Sequence, residues 1–172
     1  SHKASRFYFA SQRLWKSDNR GDSWIAISGD LTLNQNRLKL PIMEQSWSWD
    51  AAWDLYAMSD YNTITSISES PLKEGLICIG TDDGRLQLTE NGGAEWKEIP
   101  VNQLPACPAT AFVNDIKFDK HQQNSLFVAL DNHKFGDFTP YLYKSDDLGK
   151  SWKRITKGMD SVNLVWRLVQ DH

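Results

Sequence analysis

The chain has 172 residues, of which 40% are hydrophobic and 24% are charged, and its formal net charge is −3. A chain of this length can bury a sizeable core. The slightly acidic balance excludes the basic surface that nucleic-acid binding needs. No apolar run is long enough to cross a bilayer as a helix. The sequence starts at Ser1 rather than at a methionine, so we expect it to be excised from a longer protein.

Strand signals follow one another along the whole chain. Short alternating or apolar runs are separated by turn residues, a pattern typical of an all-β fold. The first unit, residues 1–28, has three predicted strands, at 7–10, 14–16 and 24–27. The second unit, residues 63–100, has four, at 64–68, 76–79, 85–88 and 96–99. The third unit, residues 111–157, repeats them at 113–118, 126–130, 141–144 and 152–155, and a lone strand is predicted within 163–170.

A short motif, Ser/Thr-x-Asp/Asn-x-Gly-x-x-Trp, occurs three times in register with these units. It comprises Ser17, Asn19, Gly21 and Trp24, then Thr89, Asn91, Gly93 and Trp96, then Ser145, Asp147, Gly149 and Trp152. The Asp or Asn side chain is expected to accept backbone N–H groups inside a turn. The glycine supplies a positive φ, and the tryptophan opens the next strand and packs its ring. We call residues 17–24, 89–96 and 145–152 the repeat hairpins.

These hairpins resemble the Asp box, or BNR repeat, of sialidases, sortilin-type receptors and several glycoside-hydrolase propellers. Large bacterial proteins of the sortilin-like or glycosyl-hydrolase-like kind are similar to this chain in three stretches: residues 17–24 followed by 27–32, residues 69–76 leading into 80–84, and residues 131–141. The resemblance implies a β-propeller of four-stranded antiparallel blades. It also implies boxes at the periphery, away from the central site, and a secreted or periplasmic location.

The strand count predicts a single partial propeller domain over residues 1–172. The first unit contains only the second, third and fourth strands of a blade, and residues 163–170 read as the lone first strand of the next. Together the strands amount to about three blades, whereas propellers close with roughly four to eight. The ring therefore requires the remaining blades of a parent chain or a second copy of this one.

The segment 29–62 is an inter-blade insertion, longer than the connections elsewhere in the chain. Its tryptophans, Trp47, Trp49 and Trp53, form a stacking platform for sugar rings on one hypothesis, with Asp50 and Asp54 binding hydroxyl groups. On the other hypothesis the rings fill a core beneath the insertion, which is the commoner fate of tryptophan. The sequence leaves both open.

The loops opposite the repeat hairpins define the face on which a ligand is expected. They are residues 12–13, 29–62, 81–84, 101–111 and 131–140. The candidate catalytic residues are Asp82, Asp131 and His133, because glycoside hydrolysis needs two carboxylates about 5 to 10 Å apart. Asp137 and Arg167 are candidate ligand-binding residues. Hydrogen bonding within the loops, and a plain Asp-Gly turn at Asp83, are the structural alternatives.

No catalytic motif outside the repeats is present, and no spacing typical of a cofactor or metal site occurs. The sequence therefore favours a propeller module that binds a glycan, peptide or protein ligand, without a cofactor or a metal. The alternative function is a polysaccharide-acting hydrolase with paired carboxylates, of the xyloglucanase or sialidase kind.

Overall fold

The computed structural model describes residues 2–36, 39–41, 45–48, 50 and 61–171. In this part of the chain, three antiparallel sheets follow one another, with strands adjacent in sequence also adjacent in each sheet. The first sheet consists of β1 (Phe7–Ala10), β2 (Leu14–Ser17) and β3 (Ile25–Ala26). The second consists of β4 (Ile64–Glu69), β5 (Ile77–Thr81), β6 (Arg85–Thr89) and β7 (Lys97–Pro100). The third consists of β8 (Phe112–Phe118), β9 (Leu126–Asn132), β10 (Asp137–Ser145) and β11 (Lys153–Arg154). The predicted all-β fold is confirmed.

The middle sheet is covered on both faces, which explains its continuous apolar runs. All five residues of β5 are buried. One core cluster joins the second and third sheets, and a smaller cluster joins the first and second. The sheets approach so closely at Gly80 that a Cβ there would lie 2.2 Å from Cγ1 of Val113. Glycine is therefore required at this position of β5 by packing rather than by its φ.

Neighbouring sheets are linked through their first strands by hydroxyl side chains. Ser66 and Ser68 of β4 accept the backbone N–H groups of Ile116 and Phe118 of β8, at 3.0 and 3.2 Å. Ser66 and Ser68 therefore connect the two sheets by side-chain hydrogen bonds, where strands of a single sheet would use backbone hydrogen bonds. Such a link keeps the two first strands side by side without merging the sheets.

Residues 163–170, predicted to be a lone strand, form no backbone ladder in the described part of the chain. Side chains attach this segment to β8: Asn114 Nδ2 donates to the carbonyl of Val165 at 3.1 Å, and Asp115 accepts the N–H of Leu168 at 2.9 Å. The link resembles the one between β4 and β8. A strand cannot be assigned because the segment has no backbone partner on either edge.

The strands after the repeat hairpins and strand β10 begin at other residues than predicted. Each repeat-hairpin tryptophan lies one residue before the paired strand instead of opening it, because the ladders begin at Ile25, Lys97 and Lys153. The loop predicted over residues 131–140 is shorter than expected. Asp137 pairs with Asn132, and a register shift before Tyr141 lets β10 start early.

Candidate functional site

The repeat hairpins share one set of hydrogen bonds. In the first, Ser17 Oγ accepts the N–H of Gly21 at 2.8 Å, and Asn19 Oδ1 accepts the N–H of Ser23 at 3.0 Å. Asn19 also receives the hydroxyl of Ser17 at 2.9 Å. The same three bonds recur in the second hairpin, within residues 89–95, and in the third, within residues 145–151. The side-chain oxygens of the Ser or Thr and of the Asp or Asn in each motif are therefore engaged in closing the turn.

The second and third repeat hairpins each pack on the last strand of the preceding sheet. A Cβ on Gly93 would lie 2.3 Å from the carbonyl oxygen of Ile27, and Trp96 Nε1 donates to that same oxygen at 3.1 Å. A Cβ on Gly149 would lie 2.5 Å from Cδ1 of Ile99. No preceding sheet covers the first hairpin within the described residues, and Trp24 is 39% exposed there.

A cavity of about 170 Å³ lies at the opposite ends of the strands. Its wall combines the insertion, the β5–β6 turn and the loops around β8 and β9. The lining residues are Gln35, Leu40, Pro41, Tyr61, Asp82, Thr110, Phe112, Asp131, Asn132, Lys134 and Phe135. Antiparallel topology places this wall opposite the repeat hairpins, because the β5–β6 turn and the β6–β7 hairpin join opposite ends of β6.

Asp82 is one of two buried carboxyl groups in this wall, with only 3% of its surface exposed; Asp131 is the other. Its Oδ1 accepts the N–H of Thr63 at 2.7 Å, and its own N–H donates to the carbonyl of Thr63 at 3.0 Å. Burial raises the pKa of Asp82 to about 6; the charge of Asp83 adds to the rise and that of Lys134 opposes it. Asp82 is therefore positioned through one oxygen, and its second oxygen, Oδ2, has no hydrogen-bond donor among the described residues.

Asp83, the next residue, faces the insertion. Its Oδ2 accepts the N–H of Leu33 at 2.7 Å, and its Oδ1 receives the hydroxyl of Thr81. Gly84 follows with φ +87°, and a Cβ on it would lie 2.3 Å from the carbonyl of Ala109. In the Asp-Asp-Gly turn, Asp82 therefore lies in the cavity wall, and Asp83 binds the insertion at Leu33.

Asp131 also lines the cavity, but its carboxylate is fully engaged. Asn114 Nδ2 donates to Oδ2 at 2.8 Å, and the N–H of His133 donates to Oδ1 at 3.1 Å. The His133 ring pairs through Nδ1 with the same Oδ1, and its centre lies 5.7 Å from that of the Trp166 ring, with the two planes tilted by 51°. Asp131 and His133, both candidate catalytic residues, therefore form an internal pair that fixes the start of the loop after β9.

The other candidates lie away from the cavity wall. Asp137 accepts the hydroxyl of Tyr141 at 2.6 Å and the N–H of Thr139 at 3.0 Å. Burial acts to raise the pKa of Asp137, but these hydrogen bonds outweigh it and the pKa is lowered. Arg167 is exposed, and Trp47 is half-buried; neither lines the cavity. Trp49, Trp53 and Asp54 lie outside the described residues, and Asp50 bonds the hydroxyl of Ser48.

The apolar wall was missed by the motif search. Leu40, Pro41, Phe112 and Phe135 carry no catalytic chemistry, and no spacing joins them in the sequence. One signal was present: Phe135 is one of two large apolar side chains in the loop 131–140, and it is 45% exposed. An exposed ring beside a cavity is typical of a binding surface.

Among the described residues, no group of three or more His, Cys, Asp or Glu side chains is placed to bind a metal ion. No helix there has the length and apolar character needed to span a membrane.

Comparisons with known proteins identify the fold. No protein-family model matches the chain, and no curated protein matches it by sequence. Among solved structures, an ancestral GH74 enzyme matches over 94% of the chain at 21% identity, with a TM-score of 0.57. The GH74 xyloglucanase from Xanthomonas campestris matches over 93% at 18% identity, with a TM-score of 0.58. YCF48 bound to D1 peptide matches over 94% at 16% identity, with a TM-score of 0.56.

The chain spans 18%, 23% and 40% of the length of the ancestral enzyme, the xyloglucanase and YCF48, respectively. At these identities the likeness concerns the fold alone. All three are β-propellers, which confirms the predicted fold class, and the chain corresponds to a portion of such a ring.

Proposed function

We propose that this chain is part of a β-propeller module that binds a peptide or protein segment in the cavity between the insertion and the β5–β6 and β8–β9 ends. One observation carries the proposal. Of the two carboxyl groups that line the cavity, Asp131 is saturated by internal hydrogen bonds, so Asp82 alone keeps an oxygen for a ligand. A wall that combines apolar side chains with one carboxyl group whose second oxygen is not hydrogen-bonded is suited to binding rather than to hydrolysis.

Two lines of support come from outside the cavity. YCF48, whose structure is similar to this chain, is bound to a peptide. The side chains of the repeat hairpins are engaged in closing their own turns, which supports their assignment as Asp boxes of the BNR, sortilin-like kind. In that assignment the boxes build the blades and leave recognition to the opposite face.

Hydrolysis of a polysaccharide is the second candidate, supported by the likeness to GH74 enzymes. It requires a second carboxylate within about 5 to 10 Å of the first, one of them protonated. Asp82, with its pKa of about 6, suits the role of the acid. The second carboxylate of the wall, Asp131, is held by Asn114 and His133, which is why binding is the better-supported function.

Binding partners also include further blades. Phe7, Phe9, Trp24 and Ile25 leave apolar surface exposed on the first sheet, on the side where a preceding blade would lie. We propose that the rest of a longer chain, or a second copy, covers it. In size-exclusion chromatography with light scattering, self-association that is lost in a Phe9→Lys, Ile25→Lys variant would support the second copy; a monomer would leave the longer chain as the occupant.

Selection from a phage-displayed library of random peptides tests the binding function. We expect Phe135→Asp, which places a charge on the cavity wall, to abolish selection. Phe138→Asp is the matched control, because Phe138 is 51% exposed in the same hairpin but outside the wall. Equal selection by both variants would contradict a site in this cavity, as would turnover of xyloglucan without any peptide binding.

A further inference from the structure

The open oxygen of Asp82 points to the chemistry of the ligand. Asp82 is almost fully buried, Thr63 holds its Oδ1, and no described residue donates to its Oδ2. Burial of a carboxylate that one backbone N–H holds by a single oxygen is costly, and a cation that reaches the second oxygen recovers part of that cost. The raised pKa of Asp82 is in keeping with a missing partner.

The wall around Asp82 suits a long cationic side chain. Leu40, Pro41 and Phe135 offer apolar surface for an alkyl stem, and Tyr61 and Phe112 add ring surface. Lys and Arg side chains bury their stems in this way while the charged head reaches a polar group. Aromatic rings also attract cations across their faces.

The wall already receives one cation from its own chain. Lys134 Nζ lies 4.9 Å from the centre of the Phe112 ring. The charges of the described lining residues are two carboxylates, Asp82 and Asp131, against the single ammonium of Lys134. The balance favours a second cation over an anion, because an anionic ligand would meet two like charges.

We propose that the group entering the cavity is a lysine or arginine side chain of the bound peptide, with its charged head on Asp82 Oδ2 and its stem against the apolar wall. The inference rests on the peptide binding proposed above and specifies that the bound peptide carries a basic residue at this position. Asp82 is then the specificity-determining residue of the site.

Two phage-displayed random-peptide libraries test the inference, one encoding all amino acids and one lacking Lys and Arg. We expect binders from the complete library and at least about tenfold fewer from the depleted one, as the loss of a buried ion pair predicts. Asp82→Asn should erase that difference. Asp22→Asn, an exposed acid on the first repeat hairpin, is the matched control and should preserve it.

The outcomes separate the inference from the proposed function. Equal selection from both libraries, with no effect of Asp82→Asn, would overturn the cationic ligand and leave peptide binding standing. No selection from either library would overturn peptide binding itself. If Asp82→Asn does not fold, binding of a selected arginine peptide to the unaltered protein is compared with its citrulline counterpart. The neutral isostere should bind at least about tenfold more weakly, and equal affinity would contradict the proposal.

Discussion

Asp147 and Asp82 show how the two ends of the strands differ. At the hairpin end, Asp147 accepts the hydroxyl and N–H of Ser151, and these bonds lower its pKa to about 2. At the cavity end, burial with one oxygen left open raises the pKa of Asp82 to about 6. The environment thus stabilises the charged form of the aspartate at the hairpin end and disfavours the charged form of the aspartate at the cavity end. Carboxylates that close turns, such as Asp147, stabilise the hairpins, whereas the incompletely hydrogen-bonded carboxyl group of Asp82 lies at the proposed binding site.

The largest expected effect concerns the glycines of the repeat hairpins. Gly21 and Gly93 both have φ +100°, but only Gly93 packs against a preceding sheet. Gly21→Ala should cost about 1 to 2 kcal/mol of unfolding free energy, because of the positive φ alone. Gly93→Ala adds a backbone clash with Ile27 and should cost about 3 to 5 kcal/mol. Urea denaturation measures both, and equal losses would contradict hairpin-to-sheet packing.

The hairpin tryptophans should differ in the same sense. Trp152 is packed against the main core cluster, whereas Trp24 is 39% exposed because no sheet in the described part of the chain precedes its hairpin. We expect Trp152→Ala to lower the free energy of unfolding by about 3 kcal/mol, through lost ring burial. Trp24→Ala should cost less than half of that, again by urea denaturation. A larger loss for Trp24 would mean that the first hairpin is covered in solution.

Replacing Asp82 should stabilise the protein at neutral pH. Its folded pKa of about 6 exceeds the ordinary value of 3.8. The folded state therefore holds the proton more tightly, and stability is lost as pH rises from about 4 to about 6. The charged groups that bear on this titration are Asp83 and Lys134. Asp82→Asn should remove that loss and gain about 1 to 3 kcal/mol at pH 7. Thermal melts of both proteins from pH 4 to 7 measure the gain; parallel curves would contradict it.

The smallest effect is expected at Asp147, which is partly exposed to solvent. Its folded pKa of about 2 lies below the ordinary 3.8, so its contribution is complete above about pH 4 and is lost as pH falls towards 2. Asp147→Asn should flatten the acid limb of the stability curve and leave the neutral region nearly unchanged. A change confined to neutral pH would argue against the hydrogen bonds described for this turn.

Local patterns predicted the hairpins and strands because their contacts are short in sequence. Ser17, Asn19 and Gly21 bond within a few residues, so turn chemistry alone anticipates the geometry. The loops of the ligand-facing side could also be anticipated, because antiparallel strands alternate direction. Residues of four of the five predicted loops line the cavity.

Long-range contacts account for what the sequence did not reveal. Asn114, on the neighbouring strand β8, donates to the second carboxylate oxygen of Asp131, a contact between strands that the local pattern does not predict. Asp83 was expected only to make a turn, but it holds the N–H of Leu33 across 50 residues. Leu40 of the insertion and Phe135 of the loop after β9 line the same cavity, although 95 residues separate them in the sequence. Such pairings depend on the packing of sheets, which no local pattern encodes.

Carboxyl-carbon NMR titration of the aspartates tests the contrast between the two ends most directly. We expect the Asp82 resonance to titrate near pH 6 and that of Asp147 near pH 2, in line with their opposite environments. Adding a selected cationic peptide should move the Asp82 midpoint downwards and leave that of Asp147 in place. Titration of both groups near the ordinary value, or a peptide-induced shift at Asp147 alone, would contradict the division into a turn-closing end and a ligand-binding end.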